Sequence, residues 1–382
     1  MSYLHVDIEV TQASKRPGAP CGDCWFVERT AGWTALACVD GIGSGVRANL
    51  AATMAGNRMM ELLRRGFSLR DAFGRLVATM NRWRDPLLPY AAFSLARILN
   101  DGLTTVLSYD APPPLLVLEH GVEVMPQRSF VMESAVIGEA AASLAPGEGL
   151  LLMSDGITQA GLGHGLPAGW TTRGVADFAN QHVRAKRPRR ELPQLIQSRA
   201  KTLCGPVYRD DCTVVLADCR KGVVVSILTG PPVNFAGDEQ AVGQFMAHDG
   251  LKVVCGGTTA RVVARITGRP MKRHADDASL IAPPRSRIQG VDLVTEGAVT
   301  LNQVYNIIET DPAYYEASSG VSELSLLLRA ADRVNILAGQ ADNPAATGIE
   351  FRQQGILTRA NILPLLVDRL RKMGKLVVVE DV

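Results

Sequence analysis

At 382 residues the chain is longer than one hydrophobic core usually serves, so about two domains are expected. Its 47% hydrophobic and 20% charged residues are ordinary globular composition and exclude a disordered or fibrous protein. A net charge of +2 offers no field for nucleic acid or a membrane surface.

The N-terminus lacks the basic-then-apolar order of a signal peptide, and no apolar run reaches the roughly eighteen residues of a membrane span. Seven cysteines without framework spacing suit reduced thiols, so a cytoplasmic protein is expected. Residues 3–12 alternate, with Leu4, Val6, Ile8 and Val10 on one face and His5, Asp7 and Glu9 on the other. That pattern predicts a half-buried antiparallel strand whose polar face meets solvent rather than a metal. Cys21 and Cys24 form a C-x-x-C pair, but without a second pair or a nearby histidine they read as two small buried residues rather than a zinc site.

Gly22-Asp23 leads into strand-like Cys24 to Glu28 and Trp33 to Val39, the second running straight into Asp40-Gly41-Ile42-Gly43-Ser44-Gly45. Helical spacing follows: Leu50, Met54, Met59, Leu62 and Leu63, then Leu69, Phe73, Leu76, Val77 and Met80. Two helices are predicted, with the methionines filling core. From Ala91 to Met125 the chain returns to short strands, with Asn100-Asp101-Gly102 as a hairpin turn and Pro112-Pro113-Pro114 as an extended break.

Leu150-Leu151-Leu152-Met153-Ser154-Asp155-Gly156 repeats the earlier design, an apolar run ending in Asp-Gly. Helices are predicted near 172–184 and 190–204 around a basic run, Arg184 to Arg190, that reads as a solvated loop. Asp210-Asp211 then precedes a last strand, Cys212 to Ala217, and the first domain closes near Lys221, giving a layered α+β domain over 1–221.

From Gly222 strands and helices alternate, which predicts a smaller α/β domain over 222–382 with a mostly parallel sheet. Residues 269–289 read as a long exposed loop. Val253-Val254-Cys255-Gly256-Gly257-Thr258-Thr259-Ala260 reads as strand, turn and helix. Gly256, Gly257, Thr258 and Thr259 are candidate ligand-binding residues there, an anion nest at a helix start, although a plain turn with a threonine cap has the same appearance. Glu296-Gly297 ends another strand and would line the same crevice.

Asp23, Asp40, Asp155 and the pair Asp210-Asp211 all stand beside glycine or another aspartate at element ends. Singly each is the commonest turn dipeptide. Together, converging carboxylates would raise one another's pKa unless hard divalent cations such as Mn²⁺ or Mg²⁺ neutralise them. Two such ions can activate a water for in-line attack on a phosphoryl group, so no side-chain nucleophile is required. Gly41, lacking a side chain, would let its carbonyl approach a metal.

In this order the four motifs resemble the metal-dependent protein phosphatases of the protein phosphatase 2C superfamily, and within it the bacterial branch typified by stage II sporulation protein E, over residues 3–218. The resemblance implies an α-β-β-α sandwich of two antiparallel sheets flanked by helices. It implies Asp40 bridging two Mn²⁺ or Mg²⁺ ions, Asp155 and Asp210 on one, Asp23 and the Gly41 carbonyl on the other, and Asp211 as a secondary ligand or a group that supports the ligands from behind. Catalysis would run through metal-activated water at Asp40, Asp155 and Asp210, hydrolysing phosphoserine or phosphothreonine in a phosphorylated regulatory protein.

Ile42 stands where many eukaryotic members carry a histidine proton donor, which leaves the general acid unassigned. The second domain is expected to regulate, recruit substrate or form a homodimer. The rival readings are a signalling scaffold without turnover and a small-ligand sensor acting through the C-terminal domain.

Overall fold

The computed structural model describes residues 3–43, 45–82, 90–205, 207–273, 285–316, 319–341 and 355–382. Ser44 and residues 274–284 of the sequence motifs above lie outside them. The chain forms two compact units, one of Leu4–Lys221 and one of Gly222–Val382 with Met1–Tyr3.

In the first unit β1 (Leu4–Ala13), β2 (Asp23–Arg29) and β3 (Trp33–Gly41) precede α1 (Val46–Arg64) and α2 (Leu69–Arg82). Then come β4 (Ala91–Leu99), β5 (Leu103–Tyr109), β6 (Leu115–Leu118), β7 (Gly121–Val124), β8 (Arg128–Met132), β9 (Ala135–Ser143) and β10 (Gly149–Met153). The short α3 (Asp155–Thr158), α4 (Thr171–Arg184), α5 (Leu192–Cys204) and β11 (Cys212–Lys221) complete it. The strands make two antiparallel sheets, ordered β1-β11-β10-β6-β7 and β2-β3-β4-β5-β9-β8.

Alternation along the central strands explains the layering. Leu36, Cys38, Ala96 and Ile98 of one sheet face Leu150, Leu152, Val215 and Ala217 of the other. Their neighbours Ala35, Ala37, Phe93 and Leu95 point outward onto Met59, Leu62, Phe73 and Val77 of α1 and α2. Leu151, Met153, Val214 and Leu216 likewise point onto Val175, Ala179, Ile196 and Ala200 of α4 and α5. Four layers result, helix on sheet on sheet on helix, as the resemblance implies. Because both faces of the central strands are covered, they are buried almost end to end.

Two details differ from the sequence reading. His5 is buried rather than solvated, its Nε2 3.3 Å from Asp7 Oδ1, with Arg220 on the other Asp7 oxygen. Met59, Met60 and Met80 fill core as expected, whereas Met54 joins Val46 and Leu50 on the exposed side of α1.

The second unit contains β12 (Val224–Thr229), α6 (Asp238–Ala247), β13 (Leu251–Cys255), α7 (Gly257–Thr267), β14 (Lys272–Arg273), β15 (Ser286–Ile288) and β16 (Val291–Thr295). It ends with α8 (Ala298–Ile307), α9 (Gly320–Ala330), β17 (Arg333–Ala338), α10 (Arg359–Lys372) and β18 (Leu376–Asp381). Its sheet is ordered β14-β15-β16-β13-β12-β17-β18 and is parallel from β16 to β18. The expected exposed loop at 269–289 is instead partly a sheet edge, because β14 and β15 add antiparallel strands beside β16. Among the described residues no helix is long and apolar enough to cross a membrane.

Candidate active site

The site begins with a register. Asp23 opens β2 and sits directly opposite Asp40 of β3, so the two carboxylates leave the same face of adjacent antiparallel strands. The strands run through both aspartates rather than stopping before them.

Backbone contacts too close for any side chain hold this end of the sheet. A Cβ on Gly41 would lie 2.0 Å from the Ala48 carbonyl oxygen of α1, and one on Gly22 would lie 2.6 Å from Asp211 Oδ2. Gly41 N–H donates to Gly22 O at 3.3 Å, and Ile42 N–H donates to Tyr90 O at 2.9 Å.

The other sheet brings Asp155 and Asp210-Asp211. Ser154 and Thr213 clamp β10 to β11: Ser154 N–H donates to Thr213 O at 3.0 Å, and Thr213 N–H donates to the Ser154 hydroxyl at 2.9 Å. The next residue, Asp155, starts α3, where Gln159 Nε2 holds its Oδ2 at 2.7 Å. Gly156 can only be glycine, since a Cβ would stand 2.1 Å from Asp211 O. A small pocket opens between the sheets, lined by Asp40, Asp155, Ser154, Asp110, Ala111 and Pro112.

Burial and mutual repulsion set the electrostatics. Asp40 is pushed up to about 10, first by desolvation, then by the charges of Asp23 and Asp155, a hydrogen bond with Asp155 and the charge of Asp210. Burial lifts Asp23 to about 6 against the Ser154 and Thr213 hydroxyls, which favour its anion. Neither hydroxyl bonds it with good geometry, and both Asp23 oxygens are buried without a hydrogen-bond partner. Asp210 is also raised, chiefly by desolvation and by Asp155, against the Asp211 N–H that donates to its Oδ1.

Among the described residues no three His, Cys, Asp or Glu side chains already form a group that could hold a metal ion. The four aspartates share one rim and one field rather than a finished coordination shell. A buried carboxylate with both oxygens orphaned, facing a second carboxylate driven toward protonation, is nonetheless a donor set that hard oxygen-seeking cations fit.

Asp211 has a different task. Its Oδ1 accepts from Lys15 N–H at 2.7 Å and its Oδ2 from Gly22 N–H at 2.8 Å, so it anchors the loop that delivers Asp23. Asp110 went unnoticed in the sequence. It directly follows β5 with φ at 49° and takes a hydrogen bond from the Tyr90 hydroxyl, placing a further carboxylate on the pocket rim. Its only sequence signal is an aspartate just before the prolines at 112–114.

The family model for stage II sporulation protein E (SpoIIE) matches residues 30–220, half of the chain. The chain belongs to the stage II sporulation protein E family. Residues 30–220 are a protein phosphatase 2C-type domain, and the protein is a protein phosphatase. The matched stretch of this SpoIIE-family chain contains Asp40, Gly41, Asp155, Asp210 and Asp211 and begins after Asp23.

Solved structures with similarity include the RsbU and RsbW domains of a Mycobacterium tuberculosis protein, at 17% identity over 64% of this chain and 68% of that one, TM-score 0.49. The phosphatase domain and a regulatory fragment of SpoIIE from Bacillus subtilis match at 21% over 58% and 64%, TM-score 0.49. The SiaA phosphatase domain of Pseudomonas aeruginosa matches at 18% over 55% and 85%, TM-score 0.46. The chain spans about two thirds of the length of the first two. No curated protein sequence matches it significantly.

In the second unit the candidate turn forms the start of α7, with Gly256 at φ 132°. Thr259 is buried beside Gly256, while Thr258 is exposed and accepts from Arg261 Nη2 at 3.3 Å. A Cβ on Gly297 would lie 3.5 Å from Gly256 Cα, so the two turns lie side by side. The Glu296 carboxylate lies 3.7 Å from where a Gly257 Cβ would be, so a fixed negative charge already faces this helix start.

Proposed function

We propose that this phosphatase hydrolyses phosphoserine or phosphothreonine in a regulatory protein at a two-ion Mn²⁺ or Mg²⁺ centre held by Asp23, Asp40, Asp155, Asp210 and the Gly41 carbonyl. The observation that carries the reading is the Asp23–Asp40 pair. Two carboxylates face each other, one buried with neither oxygen hydrogen-bonded and the other, half-buried, raised to about 10. A fold gains nothing in stability from that arrangement, and divalent cations remove its cost.

When bound, the ions would supply charge neutralisation of the phosphoryl group and a water activated near neutral pH. The chain's own residues do the positioning. Asp40 sits between the other carboxylates, Gln159 orients Asp155, and Gly41, fixed by Gly22 and Ala48, keeps its carbonyl at the rim. Asp211 serves as anchor of the Asp23 loop, a role its two backbone hydrogen bonds support over direct metal ligation. Membership of the family supports a protein substrate, and residues 222–382 would regulate the phosphatase or recruit that substrate.

The test is hydrolysis of p-nitrophenyl phosphate and a phosphothreonine peptide, with and without Mn²⁺, beside Asp40→Ala and Asp155→Ala. Mn²⁺-dependent turnover lost in both variants is expected. Turnover that survives in both, or that ignores Mn²⁺, would overturn the assignment.

A further inference from the structure

Large apolar side chains of the first unit stand in water at a spacing of four residues. Ile42, Val46, Leu50 and Met54 are 55%, 60%, 53% and 58% exposed. The last three lie in the first half of α1 at i, i+4 and i+8, so they form one stripe along the helix. On the other side of the same turns Ala48, Ala51, Ala52 and Ala55 are buried.

Beyond Met54 the exposed face turns polar. Asn57 and Arg58 are exposed, Arg64 pairs with Glu28 at 2.7 Å, and Arg65 pairs with Glu61 at 2.7 Å. A face that met only water would be polar throughout. Apolar exposure on this helix is confined to its first half, and a continuous apolar patch marks a contact surface where scattered residues do not.

That half adjoins the catalytic pocket. Gly41 packs on the first turn of α1, where a Cβ would lie 2.0 Å from the Ala48 carbonyl oxygen, and it follows Asp40 of the pocket lining. Ile42 comes next. Its N–H donates to Tyr90 O at 2.9 Å, and the Tyr90 hydroxyl donates to Asp110 of the same lining. The stripe thus starts at the pocket mouth, and α1 carries it about 12 Å further, from Val46 to Met54, at about 1.5 Å per residue. A phosphoprotein has to bring its chain to this mouth to place a phosphorylated side chain between Asp40 and Asp155. An extended chain covers about 12 Å in roughly four residues.

We propose, resting on the phosphatase reading above, that Ile42, Val46, Leu50 and Met54 dock the phosphoprotein substrate. They select one with large aliphatic residues within about four positions of its phosphorylated serine or threonine. The stripe touches none of the reacting atoms, so its contribution is to substrate binding and is felt in KM rather than kcat.

Three phosphothreonine peptides test this on the full chain with Mn²⁺: one with leucines within four residues on the N-terminal side, one with leucines on the C-terminal side, and one with serines throughout. At least one leucine peptide should have a kcat/KM roughly tenfold above the serine peptide, through a lower KM. Leu50→Gln with Met54→Gln keeps helix propensity. This double variant should lose most of that advantage and turn over p-nitrophenyl phosphate as the wild type does. Equal kcat/KM for all three peptides overturns the proposal, and so does an advantage that the double variant keeps. Loss of p-nitrophenyl phosphate turnover in the double variant assigns the stripe to the fold, and a wild-type dimer that the double variant separates in sedimentation assigns it to a second copy; either overturns docking. Failure of the metal centre looks different: turnover that ignores Mn²⁺ or survives Asp40→Ala refutes the centre and leaves the peptide preference to be read. If nothing is turned over, fluorescence anisotropy of the labelled peptides reads the same preference as a ratio of Kd values, and equal Kd values overturn the proposal.

Discussion

Replacing Asp40 by asparagine should stabilise the metal-free protein, although the same change should abolish its catalysis. In the metal-free fold Asp40 holds its proton up to about pH 10, against 3.8 for an ordinary aspartate. The folded state thus binds this proton more tightly than the unfolded chain does. The stability linked to Asp40 is fully present below about pH 4 and is lost as pH rises toward 10.

At pH 7 the loss reaches roughly 4 kcal/mol at about 1.4 kcal/mol per pH unit, a ceiling because Asp40 is only half-buried and water reaches it. A gain of about 1–3 kcal/mol for metal-free Asp40→Asn at pH 7 is the expectation, shrinking toward zero near pH 4.

The assay is urea unfolding in EDTA at pH 5 and pH 8, followed by tryptophan fluorescence. All four tryptophans lie before residue 222, so the signal reports the phosphatase unit alone. A gain of this size moves the midpoint by roughly 1 M. With Mn²⁺ the order should reverse, because ions held by the wild-type carboxylates would favour the folded state by mass action. A metal-free Asp40→Asn less stable than wild type, or a gain equal at both pH values, would refute the reasoning.

Gly156→Ala places a Cβ 2.1 Å from Asp211 O and should cost about 1–3 kcal/mol in the same urea assay while lowering Mn²⁺-dependent turnover, since α3 carries Asp155. Asp211→Ala leaves the Lys15 and Gly22 N–H groups without their acceptor and should loosen the loop before Asp23. Its readout is faster alkylation of Cys21, a half-buried thiol whose pKa burial raises; an unchanged rate would remove Asp211 from the anchoring role. Arg265→Ala strands the buried Asp238 carboxylate and should destabilise the second unit by about 1–3 kcal/mol, visible by circular dichroism and silent in tryptophan fluorescence.

The layers were legible because their signals are strong and local. Unbroken apolar runs such as Leu36 to Val39 and Leu150 to Met153 sit in central strands, and the 3.6-residue spacing from Leu50 to Met80 lies on α1 and α2. The aspartates were legible because each breaks an apolar run where glycine follows or precedes it, and the structure does bring Asp23 to Asp40 and both into the field of their neighbours.

What escaped was non-local. β14 and β15 are short edge strands within polar sequence, His5 is buried by its surroundings, and Asp110 reaches the pocket only because β5 ends there. Nothing in the local sequence tells Asp211 from Asp210, yet one is tied to two backbone amides and the other faces Asp155.

That division shows how a site can hold unfavourable charges without collapsing. The carboxylates do not position one another, since their net interaction is repulsive or requires a shared proton. Position comes from uncharged contacts behind them: Gly41 against Ala48, Gly156 against the Asp211 backbone, and the reciprocal Ser154–Thr213 pair. Each is a main-chain approach or a short hydrogen bond that stays the same whether Asp40 is protonated, ionised or metal-bound. The frame can therefore be tested apart from the charges. Gly156→Ala, whose new Cβ would meet only the Asp211 backbone and the Cys212 thiol, should cost the same about 1–3 kcal/mol at pH 5 and at pH 8. A cost that instead followed pH as the Asp40→Asn gain does would mean that the carboxylates, not the backbone, set the geometry of the rim.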